Sequence, residues 1–158
     1  MKIKINYILS LAVILLVILC ILSVCSPMRF QKEQDKRETA VKGYLVKIRF
    51  AEEQYLKKKG TYCNSLKALV DSGYMADSLQ YIPFSGRKAF ALSTTMMREK
   101  SGRQIPLMEC SANMGDYLKG LDDNQVQNLI NEANESGAFA GLKIGDTSTP
   151  NDNAGNWE

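Results

Sequence analysis

The sequence predicts an α+β protein: an N-terminal transmembrane helix that continues into a long amphipathic helix packed on a small antiparallel β-sheet. Three observations carry this. All residues from Ile5 to Met28 are uncharged, whereas all 17 acidic and 18 of the 20 basic side chains lie beyond Met28. No Pro interrupts Arg29 to Lys59, where apolar residues recur at spacings of three and four. Beyond Gly60 the chain breaks into short segments separated by turn residues, a pattern of small helices and paired strands. At 158 residues the chain suits one small domain behind an apolar anchor.

Residues 1–4 read as a short tail and residues 5–28 as the anchor. The run from Ile8 to Val24 is almost entirely Leu, Ile and Val, and the whole uncharged window would span roughly 36 Å as a helix, enough to cross a bilayer. A secretory leader would have a shorter apolar core and a small-x-small cleavage site, and nothing like Ala-x-Ala follows this run. Leu22-Ser23-Val24-Cys25 is close to a bacterial lipobox, which makes Cys25 a lipidation candidate and an envelope lipoprotein the alternative reading. Val24 stands where that pattern takes Gly, Ala or Ser; otherwise Cys20 and Cys25 are small apolar residues of the anchor. Lys2 and Lys4 precede the span, while Arg29, Lys32, Lys36, Arg37 and Lys42 follow it, so counting cations alone would place the following domain in the cytoplasm. The difficulty of translocating the lysine-bearing tail, and the cysteines beyond the span, favour an inner-membrane protein with its C-terminal domain in the periplasm.

Residues 29–60 form the stalk helix. Val41, Leu45, Ile48, Ala51 or Glu52, and Tyr55 make one apolar stripe, while Arg29 to Glu38 are nearly all polar and stand in solvent. Lys57, Lys58 and Lys59 followed by Gly60 match a helix C-terminus, with cations at the negative end of the dipole. This segment carries a net charge of +5 and residues 61–158 a net charge of −4. Glu33, Asp35 and Glu38 interrupt the basic run, so it reads as a solvated helix face, and no nucleic-acid partner is expected.

The globular part covers residues 61–144. Asn64 or Ser65 caps a helix through Leu66 and Leu69 that ends near Gly73. Leu79 to Phe84 is a short strand candidate; Lys88 to Met97 and Gln104 to Ser111 pair as a hairpin around the turn from Glu99 to Arg103. Asp122 and Gln125 match a capping box that opens a helix carrying Val126, Leu129, Ile130 and Ala133. Residues 145–158 are rich in Asp, Asn, Gly and Pro and read as a polar tail, with Trp157 the one sign that it tucks back.

Chemistry-bearing patterns are few. The chain has no His, which removes Ser/His and Cys/His nucleophilic sites and His-ligated zinc, and the sequence predicts no catalytic residue, cofactor or metal. Glu52-Glu53 and Asp122-Asp123 are adjacent in sequence, so helix surface and helix cap explain them better than a shared-proton pair. Asp146, Asn151, Asp152 and Asn153 offer oxygen donors without the spacing of a calcium loop. Tyr44, Tyr55, Tyr62, Tyr74 and Tyr81 suggest a recognition surface, but aromatic residues at helical spacing are more often core. Cys63 and Cys110 are the disulfide candidate: their bond would tie the stalk helix to the sheet and close a loop of about 48 residues, worth roughly 4 kcal/mol through the unfolded state. Two unpaired buried thiols are the alternative.

The apolar helix running into an amphipathic one, the stretch from Ile48 to Tyr55, Gly60-Thr61-Tyr62 with Leu66 and Leu69 following, and Gly73-Tyr74 before a small sheet together resemble the type IV pilin and type II secretion pseudopilin family. The tail from Gly145 to Trp157 is similar to the Asp- and Gly-rich end that holds calcium in some major pseudopilins. The family's Gly before Phe-Thr-Leu-Ile-Glu at the start of the apolar segment is absent. The resemblance therefore implies a pilin-like structural or assembly protein on a permanent anchor. Its partners would be the lipid bilayer and other single-pass or pilin-like subunits met through the N-terminal helix.

Overall fold

The computed structural model describes residues 5–100 and 102–158, and the side chains of residues 5, 6 and 21–27 lie outside that description. It is an α+β chain of four helices and one three-stranded antiparallel sheet among the described residues. Two compact units are present, Met1–Asp35 and Lys36–Glu158.

Helix α1 spans Ile5–Lys59. From Tyr7 to Leu19 its large apolar side chains are open to solvent: exposure runs from 48% at Ile18 to 70% at Tyr7, with Leu9, Leu11 and Leu16 also near the top of that range, whereas Phe30 is buried. No helix among the described residues is long and apolar enough to cross a membrane. The described apolar run, Tyr7 to Cys20, covers about 21 Å, less than the roughly 30 Å of a hydrocarbon core. The rest of the expected span falls on residues 21–27, whose side chains, that of the lipidation candidate Cys25 among them, lie outside the description, as do residues 1–4 altogether.

In the second unit, α1 supplies the predicted stripe. Val41, Leu45 and Ile48 are fully buried, and of the two alternatives at the next position both are taken, since Ala51 and Glu52 are each buried. The helix ends at Lys59, and Gly60 follows in the left-handed region at φ 77°. Two corrections concern this segment. Arg37, expected in an exposed stalk, donates from Nη1 to the carbonyls of Tyr117 (3.1 Å) and Lys119 (2.9 Å) and lies 5.0 Å from the Phe84 ring. Glu52, expected on the helix surface, has no exposure at all.

Helix α2 covers Leu66–Asp71, and Ser65 caps it by accepting the Ala68 N–H. The expected strand over Leu79 to Phe84 is not formed. A 3₁₀ turn occupies Asp77–Gln80 and only the bridge between Tyr81 and Ala89 is strand-like. The reason is the turn that follows: Phe84, Gly86 and Arg87 all take positive φ, and the Ser85 hydroxyl donates to the Ile82 carbonyl and accepts the Lys88 N–H. Strands β1 (Ala91–Arg98) and β2 (Gln104–Asn113) pair as predicted, Leu92 opposite Cys110 and Thr94 opposite Met108.

Three elements escape the sequence reading. Helix α3 (Met114–Tyr117) follows β2 directly, and strand β3 (Gly141–Gly145) pairs with β2 after α4 (Asp123–Glu135), which Asp122 caps by accepting the Gln125 N–H. The third is the tail, expected as a polar loop. The Gly145 N–H donates to the Ala154 carbonyl, the Asn156 N–H to the Lys143 carbonyl, and Ile144 bridges Gly155, so the tail lies along the outer edge of β3.

The β3 junction is sterically exacting. Gly145 sits at φ 71°, and a Cβ there would run into the Met108 carbonyl of β2. Gly145→Ala combines left-handed backbone strain with a clash against a rigid strand, so urea titration is expected to show a loss of about 2–3 kcal/mol. A variant as stable as the parent would mean that β3 does not approach β2 this closely.

Candidate functional site

The chemistry of the second unit concentrates where α1 ends. Four residues beyond Ile48, the buried stripe reaches Glu52, a carboxylate in a position otherwise filled by Val, Leu, Ile or Ala. One oxygen, Oε2, accepts the Cys63 N–H at 2.8 Å, tying the helix to the chain that follows it. The other, Oε1, is buried and has no hydrogen-bond partner among the described residues. Burial opposed by that single hydrogen bond pushes the Glu52 pKa up to about 7.

Both disulfide candidates belong to this neighbourhood, and both are free thiols. The expected bond is not formed. The Cys63 thiol donates to the Ser65 carbonyl at 3.3 Å, and Cys110 lies within the central strand between Leu92 and Ile144. Burial, followed by the negative charges of Glu52 and Glu109, raises the Cys110 thiol far above its ordinary range, so it stays protonated and is a poor nucleophile.

Three of the five singled-out tyrosines converge on the same end of α1. Tyr55 and Tyr74 meet edge to face with centroids 5.5 Å apart, and the Lys58 ammonium sits 5.3 Å from the Tyr74 centroid. Partial burial, and then the Cys63 thiol, raise the Tyr55 hydroxyl above its usual range. Tyr62 accepts a 2.7 Å hydrogen bond from the Asn153 amide; its hydroxyl is also raised, chiefly by desolvation. Tyr44 and Tyr81 lie apart from this group, near Lys47 and Arg87 respectively. All five are half-buried rather than core. Tyr55 and Tyr62, with Cys63 between α1 and the sheet, open onto a cleft of about 470 Å³ that reaches Thr94 and Met96 of β1.

Three of the four tail residues with oxygen donors, Asp146, Asn151 and Asn153, hydrogen-bond within the protein. Asp146 Oδ1 accepts the N–H groups of Ser148 and Thr149, which hold its carboxylate below the usual range. The Asn153 carbonyl accepts from Arg49, whose guanidinium also holds the Glu158 carboxylate at 3.0 and 3.1 Å. A guanidinium from α1 thus supplies the positive charge beside the tail. Among the described residues no group of three or more His, Cys, Asp or Glu is placed to hold a metal ion.

Glu52 is the residue that sequence reasoning misplaced, although the signal was present: it is the one charged member of the series Val41, Leu45, Ile48, Glu52, Tyr55. Chemically, the cluster is a proton-binding tie between a helix and the loop after it, beside a polar, aromatic-lined cleft. Comparison with protein-family models, with curated proteins and with solved structures finds no match for this chain.

Proposed function

We propose that this chain is a single-pass, membrane-anchored, pilin-like structural or assembly protein of a bacterial envelope. Its C-terminal domain is held on the periplasmic side of the inner membrane, and it performs no catalysis. The observation that carries the reading is the contrast between its two units. From Tyr7 to Leu19 large apolar side chains are exposed on every side of the helix, while residues 36–158 bury an apolar core of their own. A helix apolar all round needs lipid or other helices about it, because water solvates neither face. The uncharged window of the sequence runs on to Met28, beyond the described apolar side chains.

The test is reconstitution of the full chain into phosphatidylcholine–phosphatidylglycerol vesicles, followed by an alkaline carbonate wash. Retention in the vesicle pellet is expected, and its loss in the double variant Leu11→Lys, Leu15→Lys. Release of the parent chain by carbonate overturns the anchor. Intact mass distinguishes the lipoprotein reading, which requires loss of the residues before Cys25 and added acyl chains. Crosslinking of single cysteines placed from Arg29 to Asp35 tests assembly: periodic crosslinks to a partner helix are expected, and none at any position counts against an assembly role. A reporter fused after Glu158 tests topology, with a periplasmic signal expected.

A further inference from the structure

The two outer edges of the sheet are treated differently. The tail covers β3, but among the described residues nothing comparable covers β1. Just before β1, the Phe90 N–H donates to the Gln80 carbonyl and the Lys88 carbonyl accepts from Ile82, so even-numbered residues there direct their backbone groups away from β2. At the other end, the Glu99 N–H donates to Arg103 inside the hairpin, the matching behaviour for odd-numbered residues. Strand alternation then turns the N–H and C=O groups of Leu92, Thr94 and Met96 outward. Among the described residues these groups have no hydrogen-bond partner.

Two clefts open at β1, the larger of them reaching over the sheet to Pro106 of β2. The cleft of about 470 Å³ borders Thr94 and Met96 and is walled by Tyr55 and Tyr62. A second of about 290 Å³ borders Phe90 and Leu92, and the two share Asn64. No carboxylate lines either one, and the single charged lining residue is Lys67. Further cations lie close by: Lys58 sits over the Tyr74 ring, which meets Tyr55, and the exposed Arg98 ends β1.

We propose that the free edge of β1 is a docking site for an extended, acidic peptide segment of a partner protein, which adds to the sheet as a strand. Unpaired edge groups supply the main-chain hydrogen bonds, Tyr55 and Tyr62 receive an apolar side chain, and the nearby cations select carboxylates. The proposal does not depend on the membrane reading.

The probe is a fluorescent octapeptide, Glu-Val-Thr-Val-Glu-Val-Thr-Glu, titrated against the full chain in nonionic detergent with anisotropy as readout. Saturable binding is expected, weakened at least about tenfold when the glutamates become lysines. Thr94→Pro removes one outward N–H and no bond to β2, so the protein is expected to fold, as an edge strand tolerates proline, and to lose the peptide. A peptide methylated on its central backbone nitrogens tests the same point without altering the protein and is expected not to bind. Amide exchange should find Ser93, Thr95 and Met97 protected in the free chain, with Leu92, Thr94 and Met96 protected only when the peptide is present. No saturable binding, equal binding of the methylated peptide, or unchanged binding by Thr94→Pro overturns the proposal. So does protection of Leu92, Thr94 and Met96 that grows with chain concentration alone, which would make the occupant a second copy.

Discussion

Stability should fall by about 3 kcal/mol as pH rises from about 4 to about 8, through one side chain, Glu52. The sign follows from the direction of its shift. Near pH 4 and below, the carboxyl is largely protonated in both the folded and the unfolded chain and contributes no difference. Between the ordinary value of 4.5 and the folded value of about 7, the folded chain keeps a proton that the unfolded chain releases, so folding takes up a proton and is weakened by raising the pH. Above about pH 7 the folded state holds a buried anion with, among the described residues, only the Cys63 N–H for a partner, and the full penalty is present. The groups facing it do not offset this, because the Cys110 thiol and the Tyr55 and Tyr62 hydroxyls are all raised and stay neutral throughout the window. Asp146 shifts the opposite way, and its effect falls below about pH 4. Glu52→Gln keeps an oxygen for the Cys63 N–H and cannot ionise. Urea titrations of the variant should therefore be nearly flat over this range, and at pH 8 it should be more stable than the parent by about 2–3 kcal/mol. An identical slope in parent and variant would show that Glu52 reaches water in the folded state.

Tyr117 offers the second large effect, and here ring and hydroxyl are expected to act in opposite directions. Its side chain is fully buried and its hydroxyl has no partner among the described residues; burial, and then the charge of Glu38, raise its pKa well above the ordinary tyrosine range. Tyr117→Ala removes a buried ring and leaves a cavity, at an expected cost of about 3–5 kcal/mol. Tyr117→Phe keeps the ring and deletes an unpaired polar atom, so it should be neutral or stabilising by up to about 1 kcal/mol. Chemical denaturation of the two variants checks both. A loss above about 1.5 kcal/mol in the phenylalanine variant would mean that the hydroxyl is hydrogen-bonded.

Elements governed by local rules were legible in the chain. Ser65 and Asp122 cap their helices through N–H groups three residues on, as their spacing predicts, and the hairpin of β1 and β2 turns where Glu99 to Arg103 places it. The end of α1 at Lys57 to Gly60 is read as easily, because dipole and left-handed φ are properties of a few consecutive residues. Distant partners were not legible. Strand β3 is five residues, too short for alternation to register, and exists through its ladder to β2. The Leu79 to Phe84 strand was a misreading of the opposite kind: an apolar run whose next residues turn the chain back before a ladder can grow.

The candidate site divides in the same way. That a carboxylate interrupts the apolar stripe of α1 is written in the spacing from Val41 to Tyr55. That it is buried, holds the Cys63 N–H and leaves one oxygen unpaired depends on what packs over it. Cys63 and Cys110 show the limit plainly. Their number and separation suggested a bond, but sulfur atoms join only when backbone geometry brings them together, and here each has other surroundings.

By itself the sequence determined the α+β class, the helix caps, the hairpin and the contrast between an uncharged beginning and a charged remainder, since each follows from interactions within a few residues of chain or from composition. Only the tertiary structure decided that Glu52 is buried, that Arg37 binds the end of α3, that Arg49 clamps the tail, and that among the described residues the tail covers the edge of β3 and leaves that of β1 open. These are contacts between residues up to about a hundred positions apart. Their energies depend on burial and on which group arrives to satisfy each donor or acceptor, and no local pattern encodes that arrival.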